Sequence, residues 1–367
     1  MMSDSDVNRH PSISPHFEHF EWHNYYERGT LRPIDFFVLL TSLYLTALWF
    51  IVWTESTLLK LAIGVLLGII CGKFFVIGHD AAHNSLSAYK PINYCIGVLA
   101  FAASFHVFSL WEYAHNQLHH AFTNLRGYDF VWRPLDKTEY DNLSSFSQKM
   151  QRMYRHHSGI GLCPYYFIEI LLKRMILPIA RNIHKSRSAA LIIEFGITYF
   201  IWMAIILFLT CGGFLIHNRP PDTLVAFVNV VVGFLGPIVY VCWAIGFVVY
   251  FNHTHPEIAW YQEYDHWNFW RAQKDCTLYL RFPGLSEFLL PSEVMNHVAH
   301  HMDTRIPVRY LRQAQEELYR FCPSSIKLEI WSSALRREIM MRCKLYNYAR
   351  NQWTDFDGNP TGPMLQV

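Results

Sequence analysis

The sequence predicts an all-α integral membrane protein in which four membrane-crossing helices carry a helical, water-facing cap. Three observations lead there. Hydrophobic residues make up 52% of the 367 residues and charged residues only 16%, against the roughly 25% charge usual in soluble domains. The mean hydropathy of +0.10 is nonetheless too low for spans alone, so a substantial part must face water. Apolar runs also approach the roughly 20 helical residues that a bilayer core requires.

Residues 1–35 are polar and aromatic, without a basic stretch leading into an apolar core. They predict a cytosolic N-terminal segment with no cleavable leader. Phe36 to Trp53 is the first apolar run. After the link Thr54 to Lys60 comes Leu61 to Ile77, whose single charge, Lys73, can snorkel from near its end. Further runs are Ile92 to Leu110, Ala189 to Phe208 (interrupted by Glu194) and Leu224 to Phe251.

Charge decides how these five runs thread, because cations collect in cytoplasmic segments. Three Lys and Arg precede the first run, 11 lie between Arg126 and Arg187, and 13 follow Thr254, whereas the links Thr54 to Lys60 and Cys211 to Thr223 hold one each. The N-terminus, middle and C-terminus therefore share the cytosolic side, which requires an even number of crossings. Spans are expected at about 36–53, 61–77, 189–208 and 224–251. Ile92 to Leu110 is expected to dip into the membrane or to lie buried under the cap, although its length alone says span.

Pro164 to Ala180 mixes apolar residues with Glu169, Lys173 and Arg174, which suits a helix lying on the membrane surface or one belonging to the cap. The cap is expected over 111–188 and 252–350, its helices punctuated by Pro283, Pro291, Pro307 and Pro323. Residues 36–350 then form one domain, and 351–367, with Gly358, Gly362 and two prolines, a flexible tail.

Composition also excludes functions. A net charge of +2 gives nucleic acid no electrostatic footing. The eight cysteines are scattered without a CxxC pair, which argues against a disulfide framework or zinc ribbon. There is no HExxH, the commonest zinc-protease signature.

Histidine is where the chemistry concentrates, with 20 in the chain. His79 and His83 stand four apart just after the second run, a spacing that puts both rings on one helix face. His115, His119 and His120 repeat the pair and add a ring; His297, His300 and His301 supply i,i+3 and i,i+4 pairs. A single cluster is as easily a solvated group as a site, but the four-span threading places all three at the cytosolic ends of spans two and four, where they can meet. Eight imidazoles exceed the four ligands of one zinc. Shared between two ions they leave open positions, the arrangement of oxygen-handling non-haem iron. The soluble carboxylate-bridged alternative needs two Glu-x-x-His motifs, and only Glu112 to His115 occurs here. At the end of the last run, Asn252-His253-Thr254-His255 offers a ninth ligand, with His253 favoured over His255, since ionisable groups at a membrane boundary are costly unless they serve a site or reach water.

His79-Asp80-Ala81-Ala82-His83, His115-Asn116-Gln117-Leu118-His119-His120 and His297-Val298-Ala299-His300-His301, with WEYAHNQLHHAFTN and FNHTHP around them, resemble the histidine boxes of membrane-bound fatty acid desaturases and related hydroxylases. The delta-12 or omega-6 branch is the most similar. The resemblance covers roughly Gly78 to Pro307. It implies a di-iron centre under a cytosolic helical cap, ligated by His79, His83, His115, His119, His120, His297, His300 and His301, with His253 matching the histidine that precedes the third box in many relatives. It further implies that dioxygen is reduced while two neighbouring methylenes of an acyl chain lose hydrogen. Rival readings are a di-iron hydroxylase of an acyl chain, carotenoid or alkane, and a histidine-rich metal transporter or sensor; the clusters lie outside the apolar runs, which disfavours the transporter.

Metal-bound imidazoles usually donate their second N–H to an acceptor. Asp80, Asn84, Asn116, Asn124, Asp129, Asn296 and Asp303 lie near enough in sequence, and Asp80 and Asn296 are the first choices. The substrate is expected in an apolar tunnel below the cap. The chain has no haem extension, dinucleotide fingerprint or iron–sulfur cysteine run, so electrons are expected from a separate cytochrome b5-like protein or ferredoxin.

Overall fold

A computed structural model describes residues 17, 19–27, 31–177, 188–218, 220, 222–284, 287 and 292–366. Residues 1–16, 18 and 28–30 of the expected segment 1–35, and the end of Pro164 to Ala180, lie outside them.

Four helices are long and apolar enough to cross a bilayer: Arg32–Trp53 within α1 (Leu31–Trp53), α2 (Thr57–Ala82), Ala189–His217 within α5 (Ser188–His217), and α6 (Thr223–His253). Each outruns the apolar run that foretold it, because a helix continues through polar flanking residues once its interior is nucleated. The α2 span is the most enclosed, 61% buried, whereas the α5 span is only 17% buried and presents Ile192, Phe200 and Leu207 outward, as expected of a lipid-facing wall.

The run Ile92 to Leu110 is split between α3 (Lys90–Ala103) and α4 (Phe108–His120), which meet at 100°. The 14 residues of α3 extend about 21 Å, short of the ~30 Å hydrocarbon core. Phe105 at the bend takes φ 67°, an unfavourable conformation for a bulky residue. The turn is held by buried Glu194 of α5, which accepts from the Ser109 N–H (2.8 Å), the Ser109 hydroxyl (2.6 Å) and Tyr94 (3.0 Å). Close packing of α3 on α2 requires Gly78: a Cβ there would sit 2.5 Å from the Phe101 ring.

The helix Tyr165–Ile176 buries Tyr165, Tyr166, Ile170, Leu171 and Met175. Its apolar face packs inward and forms one wall of the slot described below. The cap includes α7 (Phe269–Asp275), α8 (His297–Met302) and α9 (Val308–Phe321). Phe17, Trp22 and Tyr25 join a satellite core with Leu311, Ala314 and Leu318 of α9, so the described part of the N-terminal segment docks on the cap.

Two details correct the sequence reading. The fold is mostly but not wholly helical. Strand β1 (Tyr279–Arg281) pairs in parallel with β2 (Leu328–Ile330), and β3 (Leu345–Asn347) pairs antiparallel with β4 (Gln352–Thr354). Three-residue strands are too short for alternation to reveal. Residues 351–367 are also no loose tail through 366: Trp353 is fully buried and donates to the Ile258 carbonyl (2.9 Å), while Arg342 donates to the Thr361 carbonyl (2.6 Å). All eight cysteines are unpaired, and Cys71, Cys242, Cys276 and Cys343 are buried.

Candidate metal centre

The ends of α2 and α6 come together with α4 and α8, so both helix ends lie on one side of the spans. The nine expected histidines gather there, but not box by box. His79, His83, His115 and His300 form one group and His119, His253, His297 and His301 another; in each, one ligand atom per ring lies within 4.8 Å of all the others. The second and third boxes are thus each divided between the groups. His120 sits between them, its Nε2 3.0 Å from that of His115 and its ring 4.7 and 4.2 Å from those of His300 and His301. Among the described residues, no carboxylate, Glu112 included, belongs to either group.

Local structure explains the division of the second box. Tyr113–His120 is wound as a π-helix, whose i→i+5 turn brings both His119 and His120 about one turn from His115. His255 points elsewhere: its Nδ1 accepts from the Glu257 N–H (3.1 Å).

The second group is built to receive a cation. His253 Nδ1 donates to the Cys276 carbonyl (3.0 Å) and His297 Nδ1 to the Val294 carbonyl (2.9 Å). A carbonyl only accepts, so in the neutral rings both Nε2 atoms carry lone pairs, yet these lie 2.9 Å apart. His301 Nε2 approaches His297 Nε2 at 3.1 Å in the same way. Facing lone pairs repel unless a positive ion lies between them. Burial pushes His297 down to about 3 and His300 and His301 well below the usual imidazole range, so protons do not supply that charge. Among the described residues, buried His79 Nδ1, His83 Nε2, His119 Nε2 and His300 Nε2 also have no hydrogen-bond partner. The donor set fits metal.

The supporting residues differ from the first choices. Asp129 meets His119, whereas Asp80 Oδ1 stays 3.8 Å from His79 Nδ1 and Oδ2 accepts from the Val308 N–H (2.9 Å). Asn296 donates to the Glu293 carbonyl, Asn116 to that of Ala82 and Asn124 to that of Ala259. Asp303 binds Arg305 and Tyr26. Asn84 lines a cleft beside His83. Gln273, which no sequence pattern singled out, accepts from His301 Nδ1 at 2.7 Å.

Below the rings runs a narrow apolar slot. His79 and His115 of one group and His119 and His297 of the other face it, opposite Phe75, Trp111, Tyr166, Ile170, Ile245, Val248 and Val249. Trp111 stacks on His115 at 4.0 Å.

Residues 56–333 match the sequence pattern of the family described as fatty acid desaturase. Among curated proteins, the chain is 28% identical to the chloroplastic omega-6 fatty acid desaturase of Arabidopsis thaliana, over 76% of this chain and 57% of the relative. It is 28% identical to the sn-1 oleoyl-lipid 12-desaturase of a Picosynechococcus species, over 80% of this chain and 78% of the relative. It is 24% identical to the sn-1 acyl-lipid omega-3 desaturase (ferredoxin) of a Synechocystis species, over 80% and 76%. The chain spans 57–59% of the length of the chloroplastic omega-6 relatives it matches.

Proposed function

The chain belongs to the fatty acid desaturase family, and from that premise we propose that it is a membrane-bound, oxygen-dependent desaturase of acyl lipids. The observation that carries this reading is the apolar slot with imidazoles of both clusters in its roof. His79, His83, His115 and His300 would hold one iron and His119, His253, His297 and His301 the other, with His120 between them. The iron pair, when bound, supplies the oxidising power that an unactivated methylene requires and that no side chain possesses.

The chain's own part is position and exclusion of water. Phe75, Trp111, Ile245 and Val248 offer an acyl chain only apolar contact, worth about 0.8 kcal/mol per methylene buried. The register of the chain in the slot selects the carbons that lie under the rings. One hydrogen leaves each of two neighbouring carbons. With two electrons and two protons from outside, dioxygen ends as two waters and the acyl chain gains a double bond.

The names of the relatives support an acyl lipid as substrate, with the double bond at the delta-12 or omega-6 position. The name of one relative supports a ferredoxin as the external electron donor, with a cytochrome b5-like protein as the alternative. The cations flanking the spans on the cluster side, 11 between Arg126 and Arg187 and 13 after Thr254, support a cytosolic cap, termini and active site.

The test is expression with a matched donor in a host that lacks polyunsaturated lipid, followed by lipid profiling. A new double bond in membrane acyl chains is expected. Hydroxylated chains without unsaturation would overturn the reading in favour of a hydroxylase.

A further inference from the structure

We propose that the two clusters hold their metals with unequal grip, and that Gln273 is a positioning residue for the tighter one. The inference rests on the two-iron reading above.

In the group of His119, His253, His297 and His301, every ring is anchored through Nδ1. The acceptors are the Asp129 carboxylate (3.1 Å), the Cys276 carbonyl (3.0 Å), the Val294 carbonyl (2.9 Å) and Gln273 Oε1 (2.7 Å). Each keeps the proton on Nδ1 and turns the Nε2 lone pair inward, so the ligands are oriented before a metal arrives. All four residues are buried.

Gln273 is locked in turn. It is fully buried, and its Nε2 donates to the His120 carbonyl at 2.9 Å. That donation leaves only Oε1 to face His301 and the Thr123 hydroxyl (3.0 Å). A flipped amide would set carbonyl against carbonyl at His120, so the network admits one orientation. Gln273 thereby ties a ring of one group to the backbone of the histidine that lies between the groups.

The other group lacks this scaffold. Among the described residues, buried His79 Nδ1, His83 Nε2 and His300 Nε2 have no hydrogen-bond partner, Asp80 Oδ1 stays 3.8 Å from His79 Nδ1, and His115 Nε2 faces His120 Nε2 (3.0 Å). His83 and His115 are half-buried. A cleft of about 610 Å³, with Asn84, Asn116 and Trp270 in its walls, reaches His83 and His120 from outside, with His301 also on its wall. Rings left free to turn lose more entropy when they bind, and a cleft of this size admits water and small chelators. Metal in this group is therefore the first to leave.

Iron-loaded, full-length protein in detergent is treated with EDTA, and bound iron per chain is followed by elemental analysis. Two phases are expected, one iron leaving fast and the second slowly. Gln273→Leu, which keeps the volume but accepts nothing, is expected to speed the slow phase about 10–100-fold and leave the fast one unchanged. Gln273→Glu, which restores an acceptor for His301 but sets an oxygen against the His120 carbonyl, is expected to return the slow phase in part. Loss of both irons in one phase from the wild type, or an unaltered slow phase in Gln273→Leu, would sink the inference. Wild-type protein that retains no iron at all would instead overturn the two-iron reading. Should Gln273→Leu fail to fold, the wild-type phases and Gln273→Glu still decide.

Discussion

Asp129 meets His119 with both carboxylate oxygens, 3.1 and 3.2 Å from Nδ1, while its own oxygens also accept the N–H groups of Asn124 (2.9 Å) and Val131 (3.0 Å). The carboxylate is completely buried and fully engaged. It cannot swing away without stranding two backbone donors, so it fixes both the tautomer and the tilt of His119. Asp129→Leu is expected to lower bound iron from two per chain toward one and to cut desaturation about 10–100-fold. Asp129→Asn, which retains an acceptor, falls between. Elemental analysis beside product quantification checks both.

The slot offers a test that spares the metal ligands. Val249 is one of its wall residues and is not itself a candidate ligand. Val249→Trp is expected to abolish unsaturated product while iron content stays at the wild-type level, at a stability cost of about 1–3 kcal/mol from overpacking. Unchanged product yield would show that the acyl chain lies elsewhere.

Glu194 sits inside a span and supports the site from a distance. Its carboxylate receives three hydrogen bonds, two from Ser109 at the start of the helix that carries His115 and one from Tyr94 of α3. Glu194→Ala leaves the buried Ser109 N–H unpaired, a cost of about 1–3 kcal/mol. A lower thermal midpoint in detergent is expected, with Glu194→Gln restoring most of it.

Acid sensitivity follows from the Arg126 network. Burial works to raise the carboxyls of Asp136 and Glu139, but backbone N–H groups and the guanidinium of Arg126, joined at Glu139 by Arg133, outweigh it and hold both below the usual carboxylate range. Carboxyls depressed in the folded state add stability above their unfolded values, about 4, and lose it as pH falls through the folded values. Arg126→Met is therefore expected to melt lower than wild type at pH 7, by about 1 kcal/mol or less for such partly exposed pairs. The gap closes below about pH 4. Thermal melts across that range check the sign.

The membrane spans were legible because apolar length is a local property. So was the candidacy of eight histidines, because a spacing of four residues already means a shared helix face. His253 was readable from its place at the end of an apolar run. The anchors were less accessible. Asp80 is adjacent to His79 in sequence, but the helix turns its carboxylate toward Val308. Asp129 reaches His119 across ten residues because Asn124, at φ 55°, folds the chain back. Gln273 stands 28 residues from His301, and no local pattern marks it.

Patterning along the chain, then, was enough to specify a mostly helical protein with four helices apolar enough to cross a membrane and imidazoles spaced to gather as candidate metal ligands, because hydrophobicity and helical periodicity act over one or two turns. The sorting of those rings into two groups, across box boundaries, came from the π-helical turn at Tyr113–His120 and from the approach of α8 to the ends of α2 and α6. So did the fixing of one group by Asp129 and Gln273 and the looseness of the other. These are contacts between residues distant in sequence, and they exist only once the helices have packed.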